Sequence, residues 1–162
     1  HVLRRRQRQM CIRDREMTAR IPAIGGGNFL LLSKNRSSCL LACELAVNVM
    51  SKIDNIITPF PGGVVRSGSK VGSKYKALIA STNDAFCPSL SGITGSKLHK
   101  SVNCVMEIVI NGLTKEDIDK GIRESLIAIS KSKYKKDIVS VSAGNYGGKL
   151  GQHHFHLRTI LK

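Results

Sequence analysis

The sequence predicts an α+β fold, a sandwich in which two main helices cover one face of a largely antiparallel sheet. Two amphipathic segments with helical periodicity alternate with short β-branched segments in the order strand, helix, strands, helix, strands. Hydrophobic residues make up 41% of the 162 residues, which is enough to bury the core of one domain.

The first strand and the first helix follow a run of three glycines. Gly25–Gly27 lead into an apolar strand over Asn28–Lys34, and a helix is predicted over Ser37–Asp54. The helix places a stripe of apolar residues on one side: Cys39, Cys43, Ala46, Met50 and Ile53.

The middle of the chain is dense in turn signals. Residues 56–74 contain too many prolines and glycines for a helix, with room for a short strand at Val64–Arg66. Tyr75–Thr82 reads as another strand. Asn83–Ser101 is predicted to be irregular, and a connection of that length is usually functional or disordered.

The clearest strand is Val102–Ile110, which is β-branched and ends at the turn signal Asn111–Gly112. Thr114 is then predicted to cap a helix that runs to about Lys133, with Asp117 in the capping-box position. The buried stripe of this helix is formed by Ile118, Ile122, Leu126 and Ile129.

Two last strands are predicted at Asp137–Ser142 and His154–Leu161, on either side of the glycine-rich segment Ala143–Gln152. The order of strands and helices fits a ferredoxin-like α/β sandwich best.

The chain is strongly basic. It carries 26 Lys and Arg against 11 Asp and Glu, a formal net charge of +15, and such an excess attracts anionic partners, nucleic acid included. Aromatic residues are only 4%, and neither an RNP-like string nor a recognition helix is visible. A small basic nucleic-acid-binding domain is therefore the weaker alternative. No apolar run reaches the roughly 20 residues of a membrane span, so no transmembrane helix is predicted.

The five cysteines form neither a disulfide framework nor a structural zinc site. Their number is odd and no Cys-x-x-Cys occurs, which favours a reducing compartment. Cys39 and Cys43 share the apolar stripe of their helix and are interpreted as core residues.

The first 16 residues have a composition of their own. They hold six arginines against two acidic residues, a net charge of +4, and the polar stretch 7–16 excludes a secretory signal. A solvated tail and an arm for nucleic acid or membrane are both open interpretations. The string Arg4–Arg15 resembles a translated sequencing adapter, so residues 1–16 are predicted to be a non-native leader and residues 17–162 the domain, with a natural N-terminal part missing.

Glu107 is the most informative acidic residue. Strand alternation places it between Val105 and Val109 on one face of its strand, while Cys104 and Met106 face the other way. Either this face is solvated, or apolar surroundings raise the pKa of the carboxyl group toward the range useful for acid/base catalysis.

Other candidate groups carry weaker signals. The glycine clusters Gly25–Gly27, Gly62–Gly63 and Gly144–Gly151 lack the spacing of nucleotide loops, and mark either tight turns or close approach of the backbone to a ligand. His154 and His156 would share a strand face with no third ligand beside them, so no metal site is predicted.

Three uncommon strings occur together in this chain: IITPFPGGVVRSGSKVGS over residues 56–73, LIASTNDAFCP over residues 78–88 and SAGNYGGKLG over residues 142–151. In this order they resemble the C-terminal, or proximal, lobe of the formylmethanofuran:tetrahydromethanopterin formyltransferase family. The formyltransferase subunit of the bacterial formyltransferase/hydrolase complex is a close relative of that family and remains an alternative. The resemblance covers about residues 21–161.

The resemblance implies an enzyme that moves a formyl group reversibly between the amine of methanofuran and N5 of tetrahydromethanopterin, in one-carbon metabolism that includes methanogenesis. Methanofuran and tetrahydromethanopterin are then substrates, and no tightly bound cofactor or metal is expected. The family assembles cytoplasmic homotetramers from subunits with two ferredoxin-like lobes. A chain with one lobe is expected to be inactive without its own N-terminal lobe.

The resemblance also implies roles for single residues. The proposed catalytic glutamate of the family falls at Glu107, the same residue that the alternation of the strand indicates. Oxyanion donors and groups that neutralise anionic substrate tails are expected among the matching strings. The substrate-binding set is Pro61, Gly62, Gly63, Arg66, Ser67, Lys70, Asn145, Gly147, Gly148 and Lys149.

Overall fold

One antiparallel sheet and two long helices form the framework of the chain in the computed structural model, which describes residues 21–68, 76–77, 83–93, 95–144 and 151–162. The strands are β1 (Ile24–Ser33), β2 (Ile56–Ile57), β3 (Val64–Arg66), β4 (Cys104–Gly112) and β5 (Ile138–Ser142). The helices are α1 (Arg36–Met50), α2 (Lys115–Lys131) and the short α3 (Leu157–Ile160).

The sheet has β1 and β4 at its centre. They pair antiparallel in a register that sets Leu30 opposite Glu107. β5 pairs with the free side of β1, and β2 and β3 both pair with the other side of β4. Each central strand is followed by a helix, and every pair among the described strands is antiparallel. The predicted α+β fold with ferredoxin-like strand order is therefore confirmed.

The main core lies between the sheet and the two long helices. Phe29 and Leu31 of β1 and Ile108 and Ile110 of β4 are fully buried in it. The helices contribute the residues that their apolar stripes predicted, among them Cys39, Cys43, Ala46, Met50, Ile118, Ile122, Leu126 and Ile129. Both helices thus cover the same face of the sheet.

A smaller apolar cluster covers the opposite face of the sheet. Leu30 of β1 and Val105 of β4 are buried there, and Phe86 and Leu98 pack against them from the connection before β4. The described part of that connection contains two 3₁₀ turns, Asp84–Phe86 and Pro88–Leu90. The long irregular segment therefore encloses the second face of the sheet.

Local capping explains where the two long helices begin. Asn35 Oδ1 accepts hydrogen bonds from the backbone N–H groups of Ser37 and Ser38, at 2.8 and 3.2 Å. Thr114 and Asp117 form the predicted capping box, in which each side chain accepts the backbone N–H of the other at 3.1 Å. α1 ends at Met50, four residues before its predicted end, because residues 51–55 form turns.

Three sequence-based strand assignments need correction. The strand predicted at His154–Leu161 is wrong: a stretch without regular secondary structure leads into α3, and Phe155 and Ile160 join the main core on the helix side. β4 continues through Asn111–Gly112, where a turn was predicted, because β2 pairs with both residues and β1 pairs with Gly112. At residues 76–77 the chain makes a turn, and the rest of the strand predicted at Tyr75–Thr82 lies outside the described residues.

No helix among the described residues is both long enough and apolar enough to span a membrane. The proposed leader, residues 1–16, lies outside the described residues.

Candidate functional site

Glu107 lies in β4 on the face of the sheet that points away from the helices. Its neighbours across the strands are Leu30 in β1 and Val65 in β3, and Val105 lies two residues earlier on the same face. Only 8% of Glu107 is exposed. The solvated-face interpretation is therefore wrong, and the apolar surroundings proposed as the alternative are present.

Two asparagine side chains hold the carboxyl group of Glu107. Asn28 Nδ2 donates a short hydrogen bond to Oε1, and Asn83 Nδ2 donates to Oε2 at 3.0 Å. Both asparagines are themselves buried. Each carboxyl oxygen thus receives one N–H group, which is the arrangement that a buried carboxylate requires.

Backbone contacts fix the two asparagines in turn. The Gly144 N–H donates to Asn28 Oδ1 at 2.8 Å, and Ser67 Oγ donates to the Asn83 carbonyl oxygen at 3.5 Å. Glycine is required at position 144, because a Cβ atom there would lie 2.6 Å from Asn28 Nδ2. Gly68 has a φ of +44°, and a Cβ atom there would lie 2.7 Å from the Asn83 carbonyl oxygen.

Burial raises the pKa of Glu107 above its ordinary value of 4.5, and the hydrogen bonds from Asn83 and Asn28 oppose part of that rise. Desolvation dominates because the neighbours of the carboxyl group across the sheet are apolar. Such a group can take up and release a proton closer to neutral pH than an exposed glutamate can.

The structure brings one of the predicted substrate-binding residues to this site. Ser67 is buried, its N–H donates to the Val105 carbonyl oxygen at 3.3 Å, and its hydroxyl contacts Asn83. Lys70, Asn145, Gly147, Gly148 and Lys149 lie outside the described residues. The segment that holds the last four directly follows Gly144, which contacts Asn28.

Other predicted residues lie on the helix side of the sheet. Arg66 pairs with Met106, donates to Ser89 Oγ at 2.6 Å and lines a cavity of about 490 Å³ with Arg36 and Leu40 of α1. Gly63 packs against α1, since a Cβ atom there would lie 2.7 Å from Val47.

Pro61 and Gly62 are exposed, and the Gly63 N–H donates within its own turn to the Phe60 carbonyl oxygen at 2.8 Å. The described contacts therefore do not join Pro61–Gly63 or Arg66 to Glu107.

A second cavity begins beside Asn28. It measures about 360 Å³, and glycines are frequent in its lining: Gly25–Gly27, Gly144 and Gly151. The chain between Ile24 and Gly27 departs from regular pairing, and the Gly26 N–H donates to Asn111 Oδ1 at 2.9 Å. The glycines let the backbone approach whatever enters this space.

The histidines and cysteines do not form a second site in the described part of the chain, where no three His, Cys, Asp or Glu side chains are placed to hold a metal. The rings of His154 and His156 lie 6.3 Å apart in the stretch before α3. Cys39 and Cys43 are fully buried, as predicted, and burial raises the pKa of the neighbouring Cys104 to about 11.

Asn28 and Asn83 hold the carboxyl group of the candidate site, and neither was predicted from the sequence. Asn28 offers a weak signal, because it is a polar residue on the same strand face as Leu30 and Leu32, which are buried. Asn83 lies in the string LIASTNDAFCP, but its position in an irregular connection 24 residues before Glu107 gives no pattern that predicts this contact.

Fold and site together define a class of protein: a ferredoxin-like domain whose sheet carries a buried carboxyl group between two carboxamides, with a pKa raised above its ordinary value by burial. Comparison with known proteins gives the family. The sequence model for "FTR, proximal lobe" matches residues 11–160, and the chain belongs to that family.

The chain is similar to curated and solved members along most of its length. It is 59% identical over 146 residues to the formylmethanofuran–tetrahydromethanopterin formyltransferase of Methylobacillus flagellatus, covering 90% of this chain and 48% of that protein. It is 47% identical, with a TM-score of 0.75, to a chain of the formyltransferase/hydrolase complex from Methylorubrum extorquens, solved with methylofuran, covering 86% of this chain and 46% of that one.

The solved formyltransferase from Methanosarcina barkeri is 42% identical to this chain, with a TM-score of 0.74, over 86% of this chain and 47% of that one. The chain thus spans about half the length of the relatives it matches. The resemblance noted from the three sequence strings is confirmed.

Proposed function

We propose that the chain supplies the acid/base group of a formyltransferase, which moves a formyl group between the amine of methanofuran and N5 of tetrahydromethanopterin. The observation that carries the proposal is Glu107, a buried carboxyl group with a raised pKa in a member of this family. Relatives named for this activity support the choice of substrates.

The chemistry needs one proton to move. When N5 of the pterin attacks the formyl carbon, a tetrahedral intermediate forms and the attacking nitrogen must lose its proton. Glu107 as a carboxylate accepts that proton. It then delivers the proton to the methanofuran nitrogen as the old carbon–nitrogen bond breaks, so that an amine leaves and the carboxylate is restored.

The intermediate carries negative charge on oxygen, which requires hydrogen-bond donors. We assign these to the Asn145 amide and the backbone of Gly147–Gly148, because Gly144 directly before them contacts Asn28. The Pro61–Gly63 turn stays in the proposed set as the second source of donors through the Gly62 N–H, because proline has no N–H group and the Gly63 N–H donates to the Phe60 carbonyl oxygen. Ser67 supports Asn83, while Arg66, Lys70 and Lys149 neutralise anionic parts of the substrates.

The wider context is part of the same proposal. Residues 17–162 form the C-terminal lobe of a two-lobe subunit, residues 1–16 are a leader foreign to it, and the lobe is inactive alone. The complete protein forms a cytoplasmic homotetramer, or is the formyltransferase subunit of a complex with hydrolase subunits. The solved complex from Methylorubrum extorquens supports the second assembly.

The test is Glu107→Gln in a complete two-lobe protein that contains residues 17–162, assayed for formyl transfer from formylmethanofuran to tetrahydromethanopterin. We expect kcat to fall about 10²-fold or more, because general acid/base catalysis contributes about 10²- to 10⁴-fold. Glu124→Gln, an exposed position on α2, is the matched control and should leave kcat unchanged. An unchanged kcat in Glu107→Gln removes Glu107 from the mechanism.

A further inference from the structure

The two asparagines that hold Glu107 differ in one respect that matters when the carboxyl group gains a proton. A carboxylate accepts hydrogen bonds at both oxygens, whereas a carboxylic acid has one O–H group that needs an acceptor. In the structure both oxygens of Glu107 face amide N–H groups. A proton placed on either oxygen therefore meets a donor, unless one of the carboxamides turns.

The carboxamide of Asn28 is held in its orientation. Its Oδ1 accepts the Gly144 N–H at 2.8 Å while its Nδ2 donates to Glu107. A half-turn would set its NH₂ group against the Gly144 N–H, so that buried hydrogen bond would be lost even when Oε1 carries a proton. Asn28 is 5% exposed, so solvent cannot replace it.

The carboxamide of Asn83 is held by a single hydrogen bond from the described residues. Its Nδ2 bonds Glu107 Oε2, and its Oδ1 accepts no hydrogen bond from the described residues. Its backbone stays in place during such a turn, because its carbonyl oxygen accepts from Ser67 Oγ at 3.5 Å and from the Phe86 N–H at 3.0 Å. A half-turn exchanges O and NH₂, which are nearly equal in size.

No charged side chain of the described residues acts on Glu107. Its neighbours are Leu30 and Asn28 from β1, Val65 from β3 and Asn83 from the connection before β4, and none of these titrates. The protonation of the carboxyl group is therefore governed by burial and by the two carboxamides.

We propose that the proton that Glu107 carries during formyl transfer resides on Oε2, and that Asn83 is a positioning residue that reverses its carboxamide with each proton transfer while Asn28 stays a fixed donor. This inference rests on the proposed function, because it assigns the atom that handles the proton. With Asn83 turned, the Oε2–H group donates to Asn83 Oδ1, and Asn28 continues to donate to Oε1. Each form of the acid keeps two hydrogen bonds.

Titration of the 162-residue chain itself tests the asymmetry. The Glu107 carboxyl carbon, labelled with ¹³C, is followed by NMR against pH in the unmodified chain and in Asn28→Leu and Asn83→Leu. Asn28→Leu should raise the midpoint by about 1 to 2 pH units, because a hydrogen bond favouring the charged form is lost. Asn83→Leu should raise it clearly less, because Asn83 bonds both forms. Asn48→Leu, an exposed change on α1, is the control.

Equal midpoints in the two variants, or a larger rise in Asn83→Leu, overturn the inference. In case either variant fails to fold, neutron diffraction from deuterated crystals of the unmodified chain, below and above the midpoint, decides directly. We expect deuterium on Oε2, with Asn83 Oδ1 facing it, only at low pH. Deuterium on Oε1, or one orientation of Asn83 at both pH values, contradicts the inference.

The outcome separates this inference from the proposed function. If Glu107→Gln leaves formyl transfer unchanged while the titrations follow expectation, the catalytic role fails and the asymmetry stands. If Glu107→Gln lowers kcat while both asparagine variants titrate alike, the inference fails and the function stands. In the complete enzyme Asn83→Leu should lower kcat about tenfold with KM unchanged, which a merely structural role would not produce.

Discussion

Burial of Glu107 makes the stability of the folded chain depend on pH in a definite direction. Its pKa in the folded chain is raised above the 4.5 expected in the unfolded chain, chiefly by desolvation. Between these two values the folded chain keeps a proton that the unfolded chain has released. The free energy of unfolding therefore falls as pH rises through this window, and the contribution of Glu107 is most favourable below it.

The magnitude follows from the number of protons. One proton changes the free energy of unfolding by at most about 1.4 kcal/mol per pH unit. Asp117, whose pKa the Thr114 hydrogen bonds lower, contributes with the opposite sign, as a group that loses stability when pH falls. The difference in free energy of unfolding between the unmodified chain and Glu107→Gln cancels the contributions of Asp117 and of every other group common to both proteins. What remains is the contribution of Glu107.

Urea unfolding of the unmodified chain and of Glu107→Gln, at a series of pH values upward from 4, measures this difference. The unmodified chain should lose stability relative to the variant as pH rises above 4.5, and the difference should level off above the folded pKa. Asn48→Leu, an exposed change on α1 that removes no titratable group, should give a flat difference. A difference that stays flat for Glu107→Gln, or that rises with pH, would refute the argument from burial.

Two further substitutions test the support of the site and of the fold. Gly144→Ala should displace Asn28 from Glu107, because the added Cβ atom would lie 2.6 Å from Asn28 Nδ2. We expect kcat of the complete enzyme to fall about 10- to 100-fold. Gly92→Ala is the control and should leave kcat unchanged, because no atom lies within 4 Å of its added Cβ atom. A normal kcat in Gly144→Ala would mean that the contact is dispensable. Thr114→Ala should reduce the free energy of unfolding by about 1 kcal/mol in urea denaturation, because the capping box of α2 loses its acceptor, and Thr159→Ala serves for comparison. Equal losses in the two threonine variants would remove the cap from the account.

Features that depend only on residues close together in the sequence, such as helix caps and apolar stripes, could be predicted. The cap at Thr114 and the apolar stripes of both helices rest on residues three or four positions apart, and the structure has them as expected. The strand predicted at His154–Leu161 failed because alternation there is weak. Phe155 and Ile160 both pack on the helix side of the sheet, whereas in a strand two residues five positions apart would face opposite sides.

In the candidate site, too, the orientation of Glu107 could be predicted from the sequence, whereas its burial and its hydrogen-bond partners could not. Alternation in β4 placed Glu107 opposite the core residues Cys104 and Ile108, and the structure agrees. Whether that face met water or protein depended on the connection over residues 83–101, which has no regular pattern. Asn83 and Asn28 lie 24 and 79 residues from Glu107 in the sequence. No local signal reports contacts over such separations.

By itself the sequence determined the two long helices, the strands β1, β3, β4 and β5, the faces they bury and the family, because each of these depends on local periodicity or on strings of residues read in order. Only the tertiary structure decided that Glu107 is enclosed, that two carboxamides hold it and that Arg66 lies on the other side of the sheet. The physical reason is that burial and hydrogen bonding depend on which segments distant in sequence come into contact. These segments meet only when the chain folds over the sheet.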